Sequence, residues 1–216
     1  MSLGSRPFPF VVAAPSGTGK TTLARALVDR NDDVVFSTSA TTRPARPNER
    51  EGRDYHFVDD LEFDRMIETG ELIEWAVVHG RRYGTPNRGV EEGLKRGSTV
   101  VLDIDVQGAR QIRKLFPDSV LVFVLPPSGT ELGRRLGGRG SEKPAEQRRR
   151  LETAKREIDA AGEFDYVVVN DDFEAALRAL ETILVAERHR RDRVVGLEAA
   201  VERLEEEVDE ILERSS

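Results

Sequence analysis

The stretch Phe10-Val11-Val12-Ala13-Ala14, running into Pro15-Ser16-Gly17-Thr18-Gly19-Lys20-Thr21-Thr22 and then into Leu23, Ala26 and Leu27 at helical spacing, decides the fold. A short continuous apolar run reads as a strand covered on both faces. Glycines after it let successive backbone N–H groups curl round phosphate oxygens, and the following helix aims the positive end of its dipole at the same point. Lys20 can then reach the β- and γ-phosphates, and the Thr21 hydroxyl can ligate magnesium. The residues expected to cradle a nucleoside triphosphate are Ala14, Pro15, Ser16, Gly17, Thr18, Gly19, Lys20, Thr21 and Thr22, with Lys20 exposed in the empty site. Ala14 stands where this motif usually has its first glycine, which is tolerated if φ is negative there. The loop alone says only that a nucleoside triphosphate binds.

Outward from the loop, Val34-Val35-Phe36 reads as a second strand and residues 37–52 as a mobile polar loop. Tyr55 to Val58 reads as a short strand. Leu61, Phe63, Met66 and Ile67 have helical spacing that Gly70 stops, and Leu72 to Val78 is expected to form another helix. Residues 99–102, 120–124 and 166–169 are apolar runs of the parallel-strand kind, separated by helical patterns at about 87–96, 106–115, 145–161 and 172–190. Strands alternating with helices imply an α/β fold with a parallel, doubly wound sheet and right-handed crossovers.

At 216 residues the chain is long enough for one well-buried core with small inserted subdomains. Its net charge of −7 argues against general nucleic-acid binding. With no cysteine, disulfides, thiolate zinc sites and cysteine nucleophiles are excluded. No apolar run approaches the roughly 20 residues that span a bilayer, and residues 1–10 do not read as a secretory signal, so a cytoplasmic protein without a membrane partner is expected. His56, His79 and His189 have no ligand spacing.

The acceptor side begins at Ser39-Ala40-Thr41-Thr42-Arg43-Pro44-Ala45-Arg46-Pro47-Asn48-Glu49, followed by Gly52-Arg53-Asp54-Tyr55-His56-Phe57. Two arginines three apart beside hydroxyls suit a phosphate monoester. Further on come Ile73-Glu74-Trp75-Ala76, Tyr83-Gly84-Thr85, Leu102-Asp103-Ile104-Asp105-Val106-Gln107-Gly108, Arg135-Leu136, Arg139-Gly140, Arg150-Leu151 and Val168-Val169-Asn170-Asp171. In these ordered motifs, over about residues 8–190, the chain resembles the guanylate kinase family.

The resemblance implies a P-loop-type parallel sheet flanked by helices, and transfer of the γ-phosphoryl group of ATP to GMP with Mg2+. It places a core at 8–37, 87–128 and 151–190, a GMP-binding subdomain at 38–86, a lid at 129–150, and leaves residues 191–216 as a C-terminal helical extension. Arg43, Arg46, Tyr55 and Tyr83 match residues that hold the GMP phosphate, with Glu49 also on the GMP side. Ser39, Glu74, Thr85 and Asp103 match residues that read guanine, with Asp105 assisting. A carboxylate at Glu74 can accept from both N1–H and the 2-amino group, a donor pair that adenine lacks. Arg135, Arg139 and Arg150 match lid arginines that act in catalysis with Lys20 and Arg43, and Asn170 matches a position near the adenine, though it could instead cap the helix at 172–190. Asn48 departs from the family's frequent glycine.

Two other readings remain at this stage. One is a binding module that has kept the fold and lost catalysis; the other is a related kinase acting on a phosphorylated sugar. The tail, where the family offers no guide, carries Val194, Leu197, Val201, Leu204, Val208 and Ile211 at spacings of three and four. It is expected to form a helix over 194–214 that pairs with a second copy, giving a homodimer, or docks on the chain's own core.

Overall fold

The structure, a computed structural model, describes residues 3–137 and 144–215. Strand β1 (Gly4–Ser5) leads to β2 (Pro9–Ala13), which turns through residues 14–19 into α1 (Lys20–Asp29) and on to β3 (Val34–Phe36). Four short strands then surround one helix: β4 (Ala40–Thr41), β5 (His56–Phe57), α2 (Asp60–Glu68), β6 (Leu72–Val78) and β7 (Arg81–Pro86). The chain continues as α3 (Asn87–Lys95), β8 (Thr99–Asp103), α4 (Val106–Leu115), β9 (Val120–Leu125), α5 (Gly129–Gly137) and α6 (Pro144–Asp159). A 3-10 turn at Ala160–Glu163, β10 (Tyr166–Val169), α7 (Phe173–Arg188), β11 (Val194–Val195) and α8 (Leu197–Arg214) complete it.

The central sheet has the order β10-β9-β2-β8-β3, and every pairing in it is parallel. Period-2 alternation along β2 explains its two-sided burial. Phe10 and Val12 pack with Leu23 and Leu27 of α1 and Leu177, Leu180 and Leu184 of α7. Val11 faces the other way, with Val90 of α3 and Ala109 and Ile112 of α4. The apolar runs read from the sequence are these strands, and the helices fall within a few residues of their expected bounds. The α/β fold with a parallel sheet is therefore as expected. Among the described residues no helix is long and apolar enough to cross a membrane.

Three local expectations are corrected. Leu72–Val78 is not a helix but the edge strand of a second, four-stranded sheet of order β5-β4-β7-β6. Its alternation is inverted: Glu74 and Ala76 are buried while Trp75 and Val77 are 40% and 53% exposed, so the apolar pattern gave no clean period of two. The missed signal lies next to it. His79 and Gly80 have φ of 51° and 74°, the two-residue turn that joins right-twisted antiparallel strands. Within 37–52, Ala40–Thr41 is a strand paired with both β5 and β7. Finally, Val194 is not in the tail helix. It pairs with Ser5, because β-branched Val194-Val195 is followed by Gly196 at φ 79°, which delays α8.

Candidate active site

The parallel strands β2 and β8 end at one edge of the central sheet, and ligands of open α/β sheets collect at such an edge. A cavity of about 760 Å³ lies there, lined by all of residues 14–22 and by residues of the four-stranded sheet.

On the loop side, Gly17 and Gly19 have φ of 88° and 87°, a region closed to most side chains. A side chain at Gly19 would also crowd Asn170 Nδ2, 2.8 Å from its Cβ. His79 is the only non-glycine with positive φ among the described residues, so Ala14 and Asn48 carry no strain of that kind. Helix α1 starts from Gly19 with no side-chain cap and no acid in its first turn, so among the described residues no capping side chain takes its first N–H groups. This is the arrangement an anion needs. The Thr18 hydroxyl donates to Pro15 O and closes the loop, and Asn170 Nδ2 donates to Thr18 O at 2.6 Å. Asn170 does not cap α7; Asp172 does, accepting from Ala175 N–H.

Lys20 is not the free lysine that was expected. Its ammonium ion-pairs with Asp103 and donates to Ile104 O at 2.9 Å, leaving the side chain 18% exposed. Asp103, at the end of β8, thus joins the loop lysine to the acceptor half of the cavity. Asp105 caps α4 by accepting from Gly108 N–H at 2.9 Å. Arg135 reaches Thr18 O and Asn170 O, each at 3.4 Å, and Arg150 Nη2 lies 3.1 Å from Ser16 Oγ. Arg139 lies outside the described residues.

The acceptor half is set by strand register. Glu74 of β6 pairs with Thr85 of β7, and Ala76 with Tyr83, so one sheet face carries Glu74, Thr85 and Tyr83 together. The fully buried Thr85 hydroxyl donates to Glu74 Oε1 at 2.6 Å, so Thr85 stands behind Glu74 while Glu74 and Ser39 line the cavity. Burial pushes the Glu74 carboxyl up to about 7, with Asp105 adding to the shift and the Thr85 hydrogen bond opposing it. Glu49 grips both arms of the Arg43 guanidinium at 2.9 and 2.8 Å and accepts from Arg46 N–H at 2.8 Å. Burial works against its charge, yet these donors hold its carboxyl below the ordinary range. Arg43 also donates to Tyr83 Oη at 3.2 Å and lies 5.3 Å over the Tyr55 ring. Arg46 also lines the cavity, 56% exposed at its side chain, with its Nη1 3.7 Å from Glu49 Oε1. Burial raises the Tyr55 hydroxyl well above its usual value.

Sequence reasoning missed Glu157 and Arg149 of α6 and Arg25 of α1, all of which line the cavity. Glu157 is pushed up to about 7 by burial and by Asp105, with Lys20 opposing. Only its helical spacing toward Arg150 could have pointed to it: seven positions on is two turns, the same helix face.

A guanylate kinase family model matches residues 6–187 of this chain. Guanylate kinase from Myxococcus xanthus is 51% identical over 185 residues, covering 85% of this chain and 88% of that protein. The protein of the same name from Nitrobacter hamburgensis is 46% identical over 205 residues, covering 94% of each. Among solved structures, guanylate kinase from Anaplasma phagocytophilum superposes with a TM-score of 0.80 at 38% identity, over 93% of this chain and 96% of that one.

Proposed function

Because the chain belongs to the guanylate kinase family and so transfers the terminal phosphoryl group of ATP to GMP, we propose that its cavity divides into an ATP side on the 14–22 loop and a GMP side on the four-stranded sheet. The observation that carries this reading is that one cavity holds both the uncapped helix N-terminus with Lys20 and the buried Glu74 carboxylate.

On the ATP side, amides of residues 16–21 and Lys20 surround the phosphates, and Lys20 exchanges its tie to Asp103 for the β- and γ-oxygens. Asn170 and Arg135 brace the loop from the adenine side. Arg135, Arg139 and Arg150 belong to the lid, 129–150, and bring positive charge to the transferred group while water is excluded. The Thr21 hydroxyl at this end of the cavity is an oxygen donor of the kind a hard cation such as Mg2+ takes, and ATP phosphates and water would supply the rest of its shell. When bound, Mg2+ neutralises charge on the β- and γ-phosphates and orients them.

On the GMP side, residues 38–86 act as the GMP-binding subdomain. Arg43, Arg46, Tyr55 and Tyr83 take the phosphate. Glu49 repels a phosphate and acts through Arg43, whose fork it fixes. Glu74 reads N1–H and the 2-amino group, held by Thr85, while Ser39 donates to O6. The GMP phosphate is already ionised and needs no general base, so catalysis is alignment and charge neutralisation of two polyanions. The protein works in the cytoplasm, in purine nucleotide metabolism, and takes neither nucleic acid nor membrane as partner.

The test is a coupled ADP-release assay with GMP, AMP and ribose phosphates in turn. GMP should be preferred over AMP by roughly 10²-fold or more in kcat/KM, the selectivity of a buried carboxylate matched to a donor pair. Equal use of AMP overturns the guanine-reading assignment, and no ADP release with any acceptor would return the protein to the binding-module reading.

The tail supports a homodimer. Val201, Leu204, Val208 and Ile211 lie along one face of α8, 45–61% exposed, and Ala200 alone is buried among its described residues. A parallel pair would crowd the glutamates. An antiparallel pair brings the acidic C-terminal end of one helix toward the arginine stretch 188–193 of the other, in which Arg188, Arg190 and Arg193 are already paired within the chain, with Asp33, with Glu187 and Asp192, and with Glu187. Arg193 packs 4.1 Å over the Phe8 ring, so the removable tail begins beyond it. Truncation after Gly196 should leave GMP phosphorylation unchanged and halve the mass in light scattering. Unchanged mass removes the dimer.

A further inference from the structure

Helix α4 lies against the edge strand that carries Glu74, and two of its residues one turn apart make the contact. A methyl group at Gly108 would overlap Glu74 Oε2 and stand 3.0 Å from its Cδ and 3.3 Å from Ile104 Cβ. Gly108 is buried in mid-turn of α4 and has no positive φ, so its backbone does not require glycine. Alanine would favour the helix by up to about 1 kcal/mol on propensity alone. What Gly108 supplies is therefore space, filled by the carboxylate. Three positions on, Gln111 Nε2 donates to Trp75 O at 2.8 Å and its Oε1 accepts from Trp75 N–H at 3.3 Å. A side-chain amide here takes the place of a neighbouring strand on the free edge of β6, at the residue following Glu74. Thr85 holds Oε1 from the opposite strand, so the carboxylate is bounded on both sides.

We infer that Gly108 and Gln111 are specificity-determining positioning residues: α4 forms the seat that fixes the Glu74 carboxylate where guanine's two donors meet it. The inference deepens the reading of Glu74 as the guanine-recognising residue and rests on it. Neither residue need touch GMP. A carboxylate displaced by an ångström still lines the cavity, yet no longer meets both donors at hydrogen-bonding distance.

The experiment compares steady-state constants of the full chain for Gly108→Ala, Glu74→Asp and the double variant, with melting temperatures. Gly108→Ala should raise KM for GMP by roughly tenfold while KM for ATP and the melting temperature stay near native, a split that a purely structural role would not produce. Glu74→Asp alone should also weaken GMP. Because the shorter side chain withdraws from the Cβ at 108, the double variant should show a loss smaller than the product of the two single losses. Gln111→Leu should shift GMP selectivity in the same direction as Gly108→Ala. Independent, multiplicative losses, or a Gly108→Ala variant with native KM for GMP, overturn the inference; a native KM in Glu74→Asp and Glu74→Gln instead overturns the reading beneath it. If Gly108→Ala does not fold, Glu74→Ala combined with Gly108→Ala decides: without the carboxylate the overlap is gone and the double variant should fold, and its failure to do so overturns the seat.

Discussion

Lys20→Ala is expected to lower turnover of GMP by roughly 10³-fold, the scale on which removing one preorganised donor from a developing negative charge is felt. The lysine stands at the first residue of α1, where the uncapped amides already converge. Its ammonium adds a whole charge to that partial one, at the point where two polyanions must approach in line. The structure adds a second consequence. Lys20 neutralises Asp103, whose side chain is only 6% exposed. Removing the cation leaves that carboxylate buried and unpaired, so Lys20→Ala should cost about 3 kcal/mol of stability as well, lowering the melting temperature. Combining Lys20→Ala with Asp103→Asn removes both charges and should restore melting toward native without restoring turnover. Lys20→Arg should not rescue, because a planar fork cannot replace a compact point charge inside a closed loop. Near-native turnover in Lys20→Ala would show that the loop does not hold the phosphates.

The core was legible because its signals are local and redundant. The runs at 10–14, 99–102 and 120–124 are buried on both faces, so continuous apolarity meant strand in each; 166–169 forms an edge strand, with Val167 and Val169 half-exposed, and its β-branched run carried the reading there. The phosphate loop was legible for a similar reason: glycine is demanded by positive φ at 17 and 19, whatever surrounds them. The acceptor sheet was not. Its strands are two to seven residues long, and β6 turns a carboxylate inward and Trp75 outward, the reverse of a fold-stabilising pattern. Sequence rules fail there because the inward face is built for a ligand. Pairings made across the fold were also invisible. Nothing local says that Lys20 meets Asp103, that Glu49 grips Arg43, or that Glu157 on α6 comes within reach of Ser16. The same holds for Val194, whose place in the apolar rhythm of the tail was overruled by a strand 189 residues earlier, at Ser5.

Glu74→Gln is expected to lower kcat/KM for GMP by about 10²-fold or more while leaving ATP binding near native. The variant keeps the shape and loses the charge. One end of the amide can still accept from the Thr85 hydroxyl, which puts the NH2 toward the cavity. There it faces guanine's N1–H and 2-amino group, donor against donor. The native side chain should show the same loss on protonation. Burial holds its carboxyl at about 7, so GMP use should fall as pH drops through that value, while the glutamine variant stays flat across the same window. Stability must run the other way. A carboxyl raised above its unfolded value binds a proton more tightly in the native state, so the folded protein gains from Glu74 as pH falls toward the ordinary carboxylate range and is penalised above 7. Glu74→Gln, which cannot ionise, should therefore melt at or above the native temperature at pH 8 even as it loses GMP. Steady-state kinetics between pH 6 and 8 (about one unit on either side of that value), paired with melting curves at the same points, measure both. A glutamine variant that kept native GMP use would remove Glu74 from recognition, and one that melted well below native at pH 8 would show that the carboxylate stabilises the fold.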